Sequence, residues 1–101
     1  MIIYSVTVSV EQSADLEWLA WMQNEHIPDV MATGYFIESH IQQLIDPVPH
    51  PGMVTYNIQY HCKTMQDLET YQAKDAARLQ QDHTEKFKDR FVAFRTILRR
   101  L

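Results

Sequence analysis

Residues 25–36 read EHIPDVMATGYF, and this stretch decides how the chain is cut into elements. Ahead of it, residues 16–26 carry helical spacing. Trp18, Met22 and His26 recur at four-residue intervals, Leu19 lies beside them, and Trp21 and Glu25 flank the stripe. Pro28 has no backbone N–H to donate, its ring meets the Asn24 carbonyl in a straight helix, and it biases Ile27 towards extended geometry. Proline is nevertheless tolerated in the first turn of a helix. The expectation is a bend, a short second helix over 28–33, and a stop at Gly34 in left-handed backbone. His26 then has two readings. Its ring packs on Met22 and Trp18 and bonds the Asn24 carbonyl that Pro28 releases, or it serves as a general base or hydrogen-bond donor, since an imidazole exchanges protons near neutrality.

Upstream, Ile2, Tyr4, Val6, Val8 and Val10 alternate with Ile3, Ser5, Thr7 and Ser9, the period of two of a strand with one apolar face. Ser13 is the expected N-cap of the first helix, with Asp15 and Glu17 in its positive first turn. Downstream, residues 35–45 read as a second strand. Tyr35, Ile37, Ile41 and Ile45 share one face, and Phe36, Glu38, His40, Gln42 and Leu44 the other. DPVPHPG at 46–52 is too rich in proline for a helix or an inner strand. Residues 53–62 alternate most clearly, Val54, Tyr56, Ile58, Tyr60 and Cys62 against Thr55, Asn57, Gln59 and His61. A second helical region opens at Thr64, an N-cap with Asp67 at the capping-box position, and buries Leu68, Ala76, Leu79, His83 and Phe87; a break within 65–90 has no position in the sequence. Residues 91–101 alternate again as a last strand, Val92, Phe94, Thr96 and Leu98 opposite Phe91, Ala93, Arg95, Ile97 and Arg99.

The order β-α-β-β-α-β predicts an α+β domain of ferredoxin-like plan, an antiparallel sheet with helices on one face, spanning all of 1–101. Helices cover one side only. The uncovered side is expected to mix polar residues, among them Glu38, His40, His61 and Arg95, with Phe36, Leu44, Phe91 and Ile97. Two sheets packed face to face in a dimer account for the apolar part and a pocket for the polar part.

The bulk numbers narrow the function. The chain has 101 residues, 46% hydrophobic and 22% charged, which suits one globular domain. A net charge of −4 argues against nucleic acid or anionic lipid as a partner. The single cysteine, Cys62, cannot close an internal disulfide and reads as a small buried hydrophobe in a reducing compartment. No signal peptide and no apolar run of about 20 residues is legible, so the expected location is the cytoplasm, with no membrane partner. Two glycines in all exclude a phosphate loop or a dinucleotide fingerprint, and no G-x-S-x-G elbow occurs.

His26-x-Pro28 followed by Gly34-Tyr-Phe36 at the second strand, on this strand order, resembles the dimeric α/β-barrel superfamily of small monooxygenases, isomerases, haem-degrading enzymes and stress-response proteins. The runs MIIYSVTVSV, EWLAWMQNEHIPDVMATG, LQQDHT and FVAFRTIL resemble more closely the bacterial family known as domain of unknown function 4286, over essentially the whole chain. That resemblance implies the fold and a homodimer through the sheet faces, and brings no established activity. Haem-degrading members pair a helix histidine with an asparagine on the first strand and a tryptophan elsewhere. Here that strand has no asparagine and both tryptophans lie on the first helix, which disfavours haem degradation and leaves haem binding through His83 or His26 open.

The candidate catalytic residues are thus His26 and His83. The candidate ligand-binding residues are Arg95, which can hold a carboxylate bidentately or pair with Glu38 of the same sheet or across a dimer interface (the favoured reading), and Trp18, Trp21 and Tyr56, as an aromatic lining or simply as core. No HxxxH or CxxC spacing occurs, so no metal and no cofactor are expected; His40, His61 and Glu38 form the one set on the open face with suitable donors. The leading reading is a small-molecule-binding homodimer with its ligand between sheet and helices. The alternatives are a cofactor-independent enzyme of the monooxygenase or isomerase kind, and a dimer that only binds a partner or supports structure.

Overall fold

A computed structural model describes residues 1–101. Strand β1 spans Ile2–Glu11, helix α1 Asp15–Trp21, helix α2 Ile27–Ala32, strands β2 and β3 Glu38–Gln43 and Met53–Cys62, helices α3 and α4 Met65–Lys74 and Ala76–Lys86, and strand β4 Phe91–Arg99. The sheet order is β2-β3-β1-β4, every pair antiparallel, with the helices on one face. This is the ferredoxin-like α+β plan that the order of elements predicts. No helix is long and apolar enough to cross a membrane.

The core lies between the helices and the inner residues of β1 and β3. Tyr4, Val8 and Val10 from β1 and Ile58, Tyr60 and Cys62 from β3 meet Trp18 and Met22, Val30, Leu68 and Tyr71, and Leu79. The cross-strand pairs Tyr4–Tyr60 and Val6–Ile58 place the alternating apolar sets of both strands on the same face. Thr64 caps α3, its hydroxyl accepting the Asp67 N–H at 3.1 Å. The break in the second helical region falls at Asp75 (φ −124°), between α3 and α4.

Four local expectations are corrected. Ser13 caps nothing: a 3-10 turn over Gln12–Ala14 precedes α1, and the Ser13 hydroxyl accepts from Arg90 instead. Pro28 does not push Ile27 out of helical geometry, which stays at φ −60°, ψ −45°. A π-helical turn over Met22–His26 takes up the strain, its extra residue per turn giving the proline ring the room that an α-turn denies it; the Ile27 N–H bonds the Met22 carbonyl five residues back.

Phe36 is not on the open face but in the core, 5% exposed, stacked among Tyr4, Tyr60 and Tyr71, whereas Ile37 is 50% exposed. The β2 ladder begins at Glu38, and residues 35–37, leaving Gly34 at φ +85°, are irregular, so alternation cannot be extended back across them. The faces of β4 are the reverse of the expectation. Arg95 pairs with Val6 and Phe91 with Val10, so Phe91, Ala93, Arg95 and Ile97 lie on the helix side and Val92, Phe94, Thr96 and Leu98 on the open face.

Candidate functional site

The π turn over Met22–His26, α2, α3 and α4 do not close completely over β1, β3 and β4. They leave a cavity of about 360 Å³, of the size of small-molecule sites. Its wall is mostly apolar, with Val6, Val8, Met22, Val30, Ile58, Leu79 and Phe91, and it also includes His26, His83, Arg95, Gln80 and the tyrosines Tyr4, Tyr60 and Tyr71. Burial pushes the phenols of Tyr60 and Tyr71 upward, so both stay protonated.

His83 reaches the cavity from α4 and His26 from the end of the π turn; their ring centres are 5.8 Å apart. The π register places His26 over Trp21, five residues earlier, in a stack at 4.9 Å. His83 is fixed on its other side. The Trp18 indole N–H donates to His83 Nε2 at 2.8 Å. An indole only donates, so Nε2 is the acceptor, His83 is neutral, and Nδ1 carries the ring's proton. Burial, with His26 and Arg95 nearby, lowers the His83 pKa to about 4. His26 is also lowered, first by burial and then by Arg95, against an upward pull from Asp29 and Asp82. Both rings are therefore neutral at neutral pH.

Arg95 stands on the helix side of β4 and lines the cavity. The favoured pairing with Glu38 does not form within the sheet, because Glu38 lies on its opposite face beside His40 and His61. Arg95 has no ion pair and no side-chain hydrogen bond within the protein. A guanidinium without an acceptor at the mouth of an apolar cavity is a ready partner for an anion.

Trp18, Trp21 and Tyr56 are not among the residues that line the cavity. Trp18 is fully buried, stacks on Tyr56 at 4.9 Å and orients His83. Tyr56 donates to Asp15, and its phenol is pushed up to about 12, by burial first and then by that carboxylate. Trp21 backs both histidines and Phe87. His26 packs on Trp21 rather than on Trp18, and makes no hydrogen bond to the Asn24 carbonyl. Sequence reasoning missed Gln80 and Thr84 as wall residues. Gln80 is one residue past Leu79 and Thr84 one past His83, so the helical stripe was the available signal. Cys62 is buried, its thiol pushed up by burial and donating to the Thr64 carbonyl, which suits a core residue.

No curated protein matches the chain by sequence. Similar solved structures include an ethyl tert-butyl ether d (EthD) family protein of Bacillus halodurans, 10% identical, with a TM-score of 0.69 and 100% of both chains covered. A dimeric ferredoxin-like protein from an uncultured marine organism is 11% identical with a TM-score of 0.68, covering 100% of this chain and 95% of that one. A candidate antibiotic biosynthesis monooxygenase of Nitrosomonas europaea is 15% identical with a TM-score of 0.67, covering 100% and 99%. At these identities the likeness is one of fold. The match that carries identity is to a family profile described as a domain of unknown function, which extends over residues 1–101: the chain belongs to the DUF4286 family.

Proposed function

We propose that this protein binds a small, largely apolar anion, such as an aromatic carboxylate or phenolate, in the cavity between the helices and the sheet. The observation that carries this reading is Arg95, a cation with no protein acceptor on the wall of a mostly apolar cavity. The apolar wall supplies affinity by burial, and the guanidinium fixes the anionic end. The protonated hydroxyls of Tyr60 and Tyr71 and the Nδ1–H of His83 supply further donors.

The unlike surroundings of the two histidines favour a second reading, a cofactor-independent enzyme. His83 spends its acceptor nitrogen on Trp18 and keeps a donor. His26, neutral and without a protein hydrogen bond, is the group with a free lone pair, so it is the base that would take a proton from a bound acid while Arg95 holds the resulting anion. That a similar fold is a candidate monooxygenase in Nitrosomonas europaea agrees with this reading.

The protein acts as a homodimer through its open sheet face. Val92 and Phe94 are 65% and 61% exposed there, on the same face as Leu98, the hydroxyl row of β1 and the polar row of β3. The marine relative of the same fold is a dimeric protein.

Amide NMR of the full chain, titrated with benzoate and 2-naphthoate, tests the binding reading. Shifts should cluster on β4, α4 and the turn carrying His26, and Arg95→Leu should abolish them while leaving the melting temperature unchanged, since Arg95 holds no partner in the protein. Equal binding by wild type and Arg95→Leu, or no binding by either, overturns it. If a turnover is found, His26→Gln should abolish it and retain binding.

A further inference from the structure

On the opposite face of the sheet, away from the cavity, three metal-ligating side chains meet. Glu38 and His40 are two residues apart on β2 and so point the same way, and His61 on β3 is the cross-strand partner of Glu38. The His40 Nε2 lies 3.3 Å from Glu38 Oε2 and the His61 Nδ1 3.6 Å from Glu38 Oε1, with all three ligand atoms within 4.8 Å of one another.

His61 is the telling member. It is only 6% exposed, and neither ring nitrogen has a hydrogen-bond partner. A buried polar group left so costs about 1–3 kcal/mol, and native proteins rarely leave one without a use. The Glu38 carboxylate faces its Nδ1 at 3.6 Å, too long for a hydrogen bond.

We propose that Glu38, His40 and His61 bind one divalent transition-metal ion of the zinc, cobalt or iron(II) class. An ion coordinated tetrahedrally at about 2.0–2.1 Å holds its ligand atoms about 3.4 Å apart. Each imidazole already stands near that distance from one of the two Glu38 carboxylate oxygens, His40 from Oε2 and His61 from Oε1. The two imidazoles close the remaining gap by rotation of His40, whose side chain is half exposed and free to turn. Two imidazoles and one carboxylate suit a borderline first-row ion rather than calcium or magnesium, which prefer all-oxygen sites. Three protein ligands also leave coordination positions open, as in catalytic rather than closed structural sites. The ion supplies the acceptor for His61 that the protein does not. The absence of HxxxH or CxxC spacing does not bear on this set, because those spacings describe ligands on one helix or loop and this set is assembled across two strands.

Untagged full-length protein, stripped with chelator, tests the site by titration with cobalt(II) chloride and displacement with zinc chloride. The expected result is one cobalt ion per chain, with visible ligand-field absorption that zinc removes. Glu38→Ala and His40→Ala, both at partly exposed positions that do not threaten the fold, should each weaken binding by at least the ~100-fold that loss of an outer-shell partner can cost. His61→Ala should abolish it, and His50→Ala, in the loop before β3, should leave it unchanged. Absence of stoichiometric binding overturns the proposal. So does binding that Glu38→Ala and His40→Ala leave unaltered, because the ion is then held elsewhere.

Discussion

The Trp18 indole donates to His83 Nε2 across 2.8 Å, joining α1 to α4 over 65 residues of chain. This bond decides the chemistry of the cavity wall. It makes one histidine a neutral donor and leaves the other, His26, as the ring with a free acceptor. Trp18→Phe removes the donor and part of a fully buried ring, so it should destabilise the fold by about 2–4 kcal/mol. It should also let His83 protonate more readily, because a bond that favoured the neutral ring is gone. Urea unfolding checks the first effect and imidazole NMR titration the second; an unmoved His83 titration contradicts the tautomer assigned here.

Acid should loosen the protein through His83. Its folded pKa of about 4 lies below the ordinary 6.5, so between those values the unfolded chain binds more protons than the folded one. The full stability is present above pH 6.5 and falls as the pH drops towards 4, by on the order of 3 kcal/mol from this residue. The lowered His26 contributes in the same sense. His83→Gln keeps an acceptor for Trp18 and cannot titrate. The difference between wild-type and variant stability curves should therefore slope between pH 6.5 and 4 and level off above 6.5. A flat difference curve refutes the burial of a neutral His83.

Phe36 and Ile37 separate two ways of threading the chain into β2. Phe36 sits among three tyrosines and Ile37 is half exposed. Phe36→Ala should cost about 3–5 kcal/mol and Ile37→Ala less than about 1 kcal/mol. Denaturant midpoints of the two variants measure this, and the opposite ranking would restore simple alternation through 35–45.

The open face offers its own test. Phe94 lies on it and Arg95, the next residue, lies on the helix side. If the proposed dimer forms, Phe94→Arg places a charge where the two sheets meet and should yield a folded monomer at micromolar concentration. Arg95→Leu should leave the dimer intact. Light scattering distinguishes these outcomes, and a wild-type monomer removes the paired sheets altogether.

The sequence by itself determined the order of the elements and most of the core, because those follow from local rules. Period-two runs in β1 and β3, helical stripes, the Thr64 cap and the left-handed stop at Gly34 each depend on residues close in the chain. It also marked His26, His83 and Arg95 as residues in need of an explanation. What it could not decide is which face each strand shows once alternation is interrupted. The ladder of β2 starts only at Glu38, and β4 takes its register from β1, so Phe36 and Arg95 both lie on the helix side rather than on the open face that local pattern suggested. The Asn24 carbonyl is not the partner of His26, because a π turn accommodates Pro28, an adjustment that leaves no mark in residue spacing. The roles of Trp18, as the group that holds His83, and of His61, as a buried ring facing Glu38 and His40, come from contacts between elements distant in sequence. Only the tertiary structure makes them, since each depends on the distance between two backbones rather than on the order of side chains along one.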